Sequence, residues 1–129
     1  MGREKIMADW VRRCFGDEAM SPHERACRVL EEAIELAQAE GVSKEIVAKS
    51  VDYVYNHPAG DPQQEGGGVA CTLLAWCACH GFTFEGVADA ELARVTVKPP
   101  EHFRKRQQRK ADAGMSMQLN SPPMAAGEG

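Results

Sequence analysis

Two groups of carboxylates, placed at the spacing of a helical turn, have the chemistry to hold a divalent metal ion. The first group is Glu31, Glu32 and Glu35, within the run Leu-Glu-Glu-Ala-Ile-Glu. The second is Glu65, which begins the run Glu-Gly-Gly-Gly-Val. If the two segments pack together, Glu32, Glu35 and Glu65 converge, and converging carboxylates repel one another unless a cation lies between them. Hard oxygen ligands with open water positions suit Mg²⁺ or Mn²⁺.

Each group also has a purely structural interpretation. Arg28 precedes Glu31 and Glu32 by three and four residues, so these side chains can pair on a solvated helix face, at ~0.2–0.5 kcal/mol per pair. Glu65 near the start of a helix interacts favourably with the helix dipole. The three glycines 66–68 cost ~1 kcal/mol each in a helix relative to alanine, which indicates close approach of the backbone to a neighbouring helix or to a ligand.

The elements that must position these groups are helices. Before the first group, Ser21 can cap a helix, Pro22 fits its first turn and Glu24 completes a capping box. Asp61 and Pro62 repeat this start signal before Glu65. Glycine or proline ends the segments. We predict six helices, at about residues 4–15, 21–40, 43–55, 61–80, 84–95 and 101–112.

The apolar pattern of these helices predicts how they pack. In the second helix Cys27, Leu30, Ala33, Ile34 and Ala37 share one face, opposite the charged residues. The fourth helix is apolar almost all round between Val69 and Ala78, so we expect it to be the most buried element. The prediction is an all-α, antiparallel helical bundle at residues 1–112, with a second copy covering what it leaves exposed. Residues 113–129 are predicted to form a disordered tail.

Composition and charge limit the classes of function that the chain can have. The 129 residues carry a net charge of −4, which disfavours attraction of the whole chain to nucleic acid. Five basic residues nevertheless form a local patch between Arg104 and Lys110. There is no apolar signal region and no run of the ~20 apolar residues that a membrane span needs. The odd number of cysteines, five, lies on apolar helix faces and is typical of reduced, buried thiols in a cytoplasmic protein.

At the carboxylates the chain resembles the MazG-like all-α nucleoside triphosphate pyrophosphohydrolases. Their pattern is Glu-Glu-x-x-Glu on one helix and Glu-x-x-Asp on the next but one. Residues 31–35 match the first part fully, whereas Glu65 matches the second part only in its Glu, because Gly68 stands where the pattern has Asp. The sequence from Arg25 to Leu74 is similar to a divergent branch of this family that is found in bacteria and their phages. In that branch Gly-Gly-Val follows the Glu. The resemblance covers roughly residues 5–110.

The resemblance implies a fold, a reaction and a site. The fold is the MazG-like helical bundle, assembled as a homodimer or larger homo-oligomer. The reaction is Mg²⁺-dependent (or Mn²⁺-dependent) hydrolysis of an NTP or dNTP to the monophosphate and pyrophosphate. The implied metal ligands are Glu32, Glu35 and Glu65, with Asp61, one turn before Glu65, as the candidate replacement for the missing acid. Glu31 is the implied helper that orients water, which makes Glu31 and Glu35 the catalytic pair. The nearest candidates in sequence for binding the substrate phosphates are Lys98, Arg104 and Lys105.

Two other hypotheses stay open. The loss of the acid at Gly68 is consistent with a catalytically inactive relative that binds a nucleotide or a protein partner through the same groove. Alternatively, the chain is a helical interaction module whose basic segment 101–110 contacts nucleic acid or an acidic protein.

Overall fold

A computed structural model describes residues 2–119, and every regular element in that range is a helix. The elements are α1 (Arg3–Phe15), a 3-10 helix (Asp17–Met20), α2 (Pro22–Ala39), α3 (Lys44–Tyr55), α4 (Pro62–His80), α5 (Phe84–Thr96) and α6 (Pro100–Asp112). The predicted all-α class is therefore confirmed, and the predicted bounds of all six α-helices agree to within about one residue. The 3-10 helix was not predicted. The MazG-like arrangement remains a prediction.

The start signals read from the sequence form as hydrogen-bonded caps. Asp61 caps α4, because its carboxylate accepts a hydrogen bond from the amide of Gln64 at 3.0 Å, and Pro62 fills the first turn. Ser43 caps α3 in the same way, through the amide of Ile46 at 3.2 Å. Gly81, at φ 72°, ends α4 in the left-handed conformation that glycine adopts without strain.

By their internal contacts, the residues form two compact units. In the described range, unit 1 comprises the residues up to Leu36 and those from Arg94 onward, and unit 2 is Ala37–Ala93. The core of unit 1 consists of six buried apolar residues contributed by α1, the 3-10 helix, α5 and α6: Val11, Cys14, Phe15, Ala19, Val95 and Phe103. Trp10 packs edge-on against Phe15 and Phe103, with ring centroids 5.8 and 4.9 Å apart.

Residues 113–119, the start of the predicted disordered tail, contact the rest of unit 1. Met117 and Leu119 pack against its core, and Met115, Ser116 and Met117 bind side chains of α2. We call residues 113–119 the strap. The part of the predicted tail after residue 119 lies outside the described residues.

Unit 2 contains a single buried side chain, that of Cys77 on α4, in residues 37–93, all of which the structure describes. The expectation that α4 is the most buried element is therefore wrong for this chain. The predicted core face of α2 is exposed too, because Leu30 keeps 58% of its surface accessible and Ile34 keeps 40%. Helical periodicity identifies which residues share a face, but it does not supply the surface that covers the face.

The cysteines are all free, as the sequence predicted, but they are not all buried. Cys14 and Cys77 are buried, Cys27 is half-buried, and Cys71 and Cys79 are exposed on α4. Within residues 2–119 no single helix has the length and apolar character to cross a membrane. The bent pair α4 and α5, at 97°, meets the criteria of length and composition only when the two helices are taken together.

Candidate functional site

The first carboxylate group lies on α2 within unit 1, next to two cations. Glu31 forms an ion pair with Lys110 of α6, in which Lys110 Nζ lies 2.8 Å from Glu31 Oε1. Arg28 Nη1 forms a longer ion pair with the same oxygen, at 3.4 Å. Glu31 is thus neutralised on two sides. The predicted pairing of Arg28 with Glu31 is present. Lys110, which the sequence reasoning did not select, supplies the shorter contact.

Glu32 and Glu35 lie one turn apart on α2, close enough for their carboxyls to act on each other electrostatically. Although both residues are exposed, nearby protein atoms remove enough water from Glu32 to raise the pKa of its carboxyl. Repulsion from Glu35 and then from Glu31 raises this pKa further, and Lys110 opposes the shift. A cation placed between these carboxyls would offset the repulsion. The donor set suits a hard divalent ion.

The second carboxylate group lies at the start of α4 in unit 2. Asp61 is engaged as the helix cap, and the amide of Glu65 donates to the Asp61 carbonyl at 2.9 Å. The Glu65 side chain lies against Gly60, where a methyl group would come within 3.2 Å of Glu65 Oε1. Both residues stay predicted ligands.

The structure brings together some of the predicted ligands. Glu32 and Glu35 are in contact. Among residues 2–119, however, no three His, Cys, Asp or Glu side chains form a group that could hold one metal ion. Two carboxylates still fit Mg²⁺, because this ion keeps several waters and commonly binds through one or two carboxylates together with phosphate oxygens of a substrate.

The predicted phosphate-binding cations have different surroundings. Arg104 donates to the backbone carbonyl of Cys14 at 3.1 Å, so it ties α6 to α1. Lys105 is exposed and Lys98 is half-buried. Lys110 is the cation that contacts the carboxylate group. Its position was readable in principle, because Phe103, Gln107 and Ala111 form the buried stripe of α6 and Lys110 lies three residues beyond Gln107 on that side.

A buried carboxylate, Glu24, holds the strap to α2. Burial opposes its ionisation, but hydrogen bonds from Ser116, the Met117 amide and Gln107 outweigh burial and hold the pKa of Glu24 below its ordinary value. The Met117 amide lies 3.1 Å from Oε2 and the Gln107 amide nitrogen 3.3 Å from Oε1. Ser21 caps α2 through the Glu24 amide at 3.2 Å. The predicted reciprocal half of the capping box is replaced by the strap, because the Glu24 side chain binds residues more than eighty positions away.

Unit 2 has a polar cluster of its own, which the sequence reasoning missed. Glu40 Oε2 accepts hydrogen bonds from Trp76 Nε1 at 2.7 Å and from His80 Nε2 at 2.5 Å. The His80 ring stacks on Phe82, with centroids 4.9 Å apart. The bond from His80, followed by that from Trp76, lowers the pKa of Glu40. The spacing of Trp76 and His80 at i and i+4 was the available signal.

Four cations act on His102 of α6, and only two of them, Arg106 and Arg109, belong to the basic patch. The pKa of His102 is lowered first by loss of hydration and then by repulsion from Lys98, Arg106, Arg109 and Arg94. Positive charge is therefore concentrated on this side of α6, whereas Arg104 and Lys110 are engaged elsewhere.

Comparison with known proteins does not extend the assignment. No protein-family description, no curated protein and no solved structure matches the chain. The MazG resemblance stays a prediction, carried by the residues quoted above.

Proposed function

We propose that the chain is a nucleoside triphosphate pyrophosphohydrolase of MazG-like type, which hydrolyses an NTP or dNTP to the monophosphate and pyrophosphate with Mg²⁺ or Mn²⁺. The observation that carries the proposal is the proximity of Glu31, Glu32 and Glu35 on α2, where loss of hydration, and then repulsion from Glu35 and Glu31, raises the pKa of Glu32. A bound divalent ion would relieve this repulsion. It would also supply the Lewis-acid chemistry that phosphoanhydride hydrolysis needs.

In this proposal the acidic residues of α2 have different roles. Glu32 and Glu35 hold the ion. Glu65, and Asp61 as the candidate replacement for the acid missing at Gly68, are further ligands that the family pattern alone implies. Glu31 orients the attacking water. Lys110 Nζ lies 2.8 Å from Glu31 Oε1 and holds this carboxylate in place.

Lys110 joins Lys98, Arg104 and Lys105 as a residue that binds substrate phosphates. It pairs with Glu31, and it acts electrostatically on the proposed ligand Glu32. A lysine presents a compact charge that can leave Glu31 and bind a phosphate oxygen when a triphosphate enters. Arg104 is less suited to that movement, because its guanidinium binds the Cys14 carbonyl.

The test is pyrophosphate release from a panel of NTPs and dNTPs with Mg²⁺ or Mn²⁺. We expect Glu35→Gln to abolish release, since the variant keeps the side-chain shape and removes the ligand charge. Glu45→Gln, an exposed acid on α3, is the matched control and should keep full activity. Activity that survives Glu35→Gln would rule out the site.

Metal binding gives a second readout that does not depend on turnover. Calorimetric titration with Mn²⁺ should show binding to the wild type and a loss of at least about tenfold in affinity in Glu32→Gln. An unchanged isotherm would remove Glu32 from the ligand set.

The first alternative function is an inactive relative that binds nucleotide or a protein partner through the same groove. It is favoured by Gly68 and by the finding that no three acidic, His or Cys side chains of residues 2–119 form a metal-binding group. Nucleotide binding without release of pyrophosphate would establish it.

The second alternative function is nucleic-acid binding through the basic segment 101–110. The cations around His102 are the observation that favours it. Neutralising Arg106 and Arg109 should then reduce both the affinity for DNA and the dependence of that affinity on salt.

We further propose that the protein works in the cytoplasm as a homodimer or larger homo-oligomer.

A further inference from the structure

The apolar face of α3 is open to solvent over most of its length. Ile46, Val51 and Val54 each leave 47–61% of their surface exposed, and Tyr53 leaves 70%. On a helical wheel these residues lie in one arc of about 160°, and Glu45 and Asp52 fall outside it. An apolar arc this wide is typical of a helix that packs against a partner.

Helix α4 is exposed although it is the least polar helix of the chain. From Gly66 to Cys79 it contains no charged residue, yet Cys77 is its only buried side chain. Val69 and Leu74 each leave about half of their surface exposed, at 50% and 52%. A helix of this composition is unfavourable when its surface is left in water, because helices in proteins gain most of their stability from packing.

The three glycines of α4 have no explanation within the chain. A methyl group at Gly66, Gly67 or Gly68 would meet no atom of the described chain within 4 Å, apart from the neighbouring backbone of α4 itself. Each glycine weakens the helix relative to alanine. The close approach that the glycines indicate must therefore come from outside the described chain, in agreement with the exposed face of α4.

From these three observations we propose that the apolar faces of α3 and α4 in unit 2 bind a second copy of this chain, with close backbone contact at Gly66–Gly68. The inference deepens the homo-oligomer of the proposed function by naming its surface, and it does not require hydrolysis.

The exposed apolar area is large enough for the centre of such an interface. The six large apolar side chains named on α3 and α4 are each about half exposed or more, so together they leave roughly several hundred Å² of mainly apolar surface in water. That area is comparable with the largest apolar patch of a typical monomer, about 300–600 Å², and such a patch often marks an interaction site. It would supply most of the roughly 800 Å² that each partner contributes to a standard interface.

The need for a permanent partner favours a second copy over other occupants. With one buried side chain in residues 37–93, unit 2 has no core that could offset its conformational entropy. Its partner must be present whenever the chain folds, which another copy always is. Unit 2 carries two lysines and eight acidic residues, a net charge of −6, which disfavours nucleic acid and anionic membranes as occupants. The acids of α3 lie away from the apolar arc, so they do not place like charges within that part of the interface.

Sedimentation velocity over a wide range of concentration tests the proposal. The wild type should sediment as a dimer or larger species, and Val54→Lys should raise its dissociation constant at least about tenfold, because a lysine would be buried without a partner. The matched control is Asp52→Lys, on the polar side of the same helix, which should change the constant less than about twofold. A monomeric wild type, or equal effects of the two variants, would overturn the proposal.

Substituting a glycine of α4 tests whether a second copy covers this part of the helix, because the substitution should stabilise an uncovered helix and weaken a covered one. If the glycines of α4 stay uncovered, as they are in the described chain, Gly67→Ala should raise the melting temperature and leave the sedimentation coefficient unchanged. If a second copy packs closely there, the same change should weaken association several-fold. Stabilisation without weakened association would contradict the close contact at Gly66–Gly68.

A measurement on the unaltered protein covers the case in which the variants do not fold. Cys71 is exposed within one chain, so maleimide should modify it rapidly in a monomer. We expect its modification to slow as protein concentration rises and the second copy covers α4. A modification rate that does not depend on protein concentration would overturn the proposal. So would a flotation experiment in which the monomer floats with phosphatidylcholine vesicles, because the apolar face would then bind a membrane. Glu35→Gln should sediment like the wild type, so that failure of the enzymatic proposal remains distinguishable from failure of the interface.

Discussion

Units 1 and 2 differ in how the same kind of helix is used. Unit 1 gathers six apolar residues into a core and covers them with the strap, although α6 is a strongly charged helix. Unit 2 contains the most apolar helix and buries only Cys77. The contrast teaches that apolar content alone does not produce a core, because a core also needs a facing surface.

Helix α2 shows the same contrast between its two faces. Its charged side carries the buried Glu24 and half-buried Arg28 and Glu31, which bind α6 and the strap. Its apolar side leaves Leu30 and Ile34 exposed. Charge-assisted hydrogen bonds and ion pairs thus hold α6 and the strap to α2, while the apolar side of α2 stays exposed in the described chain.

The largest effect should come from emptying the core of unit 1. Phe103→Ala removes a ring that contacts Trp10 at 4.9 Å between centroids, and it should cost about 3–5 kcal/mol of the free energy of unfolding. Phe84→Ala in unit 2 is the matched change at a side chain that is 37% exposed, and it should cost no more than about half as much. Chemical denaturation of both variants measures the difference. Equal losses would mean that the two units are equally well packed in solution.

Removing the charge that holds the strap should have the next largest effect. Glu24→Gln replaces three hydrogen bonds to a buried carboxylate by weaker ones and should cost about 2 kcal/mol. Glu35→Gln, an exposed position on the same helix, should change stability by less than about 0.5 kcal/mol.

The effect of Glu24→Gln should depend on pH. The pKa of Glu24 is lower in the folded chain than in the unfolded chain, so its stabilising contribution is complete at neutral pH. It is lost as the pH falls through the ordinary glutamate range towards the lowered folded pKa. Thermal unfolding curves of wild type and variant should therefore converge in acid. A constant gap would show that the charge of Glu24 is not what stabilises the strap.

The helices were predictable from the sequence because their signals are local. Asp61 and Pro62, or Ser43, act within one helical turn, and the structure shows the corresponding caps. The pairing of Arg28 with Glu31 is local as well. Such signals need no knowledge of the rest of the chain.

The packing and much of the site were not predictable, because they depend on distant residues. Glu24 satisfied the capping-box pattern, yet its side chain binds Ser116 and Met117. Lys110 was grouped with the basic patch, but it pairs with Glu31 at 2.8 Å. A contact between residues about eighty positions apart leaves no periodic trace in the sequence. The exposure of Leu30 and Leu74 could not be foreseen either, since the wheel does not say what covers a face.

A smaller effect should follow from removing the cap of α4. Asp61→Ala leaves the Gln64 amide without its acceptor and should cost about 1 kcal/mol of helix stability. Asp61→Asn keeps the acceptor and is the control. Hydrogen exchange measures which helices lose stability. If unit 2 opens independently of unit 1, exchange should quicken in residues 62–80 but not in α1. Equal acceleration in both would indicate that the units unfold together.

The smallest change in stability should come from Lys110→Met, although it reports directly on the proposed site. The ion pair with Glu31 is partly exposed, so its loss should cost at most about 1 kcal/mol. Lys110 also lowers the pKa of Glu32, which burial and the neighbouring acids raise. Without the lysine that pKa should rise further, because the repulsion from Glu35 and Glu31 is then unopposed. Carbon-detected NMR titration of the Glu32 carboxyl measures the shift, and Lys105→Met, on the exposed side of α6, serves as the control. If the pKa of Glu32 responds equally to both variants, Lys110 has no special relation to the carboxylates of α2, and the phosphate-binding role proposed for it loses its basis.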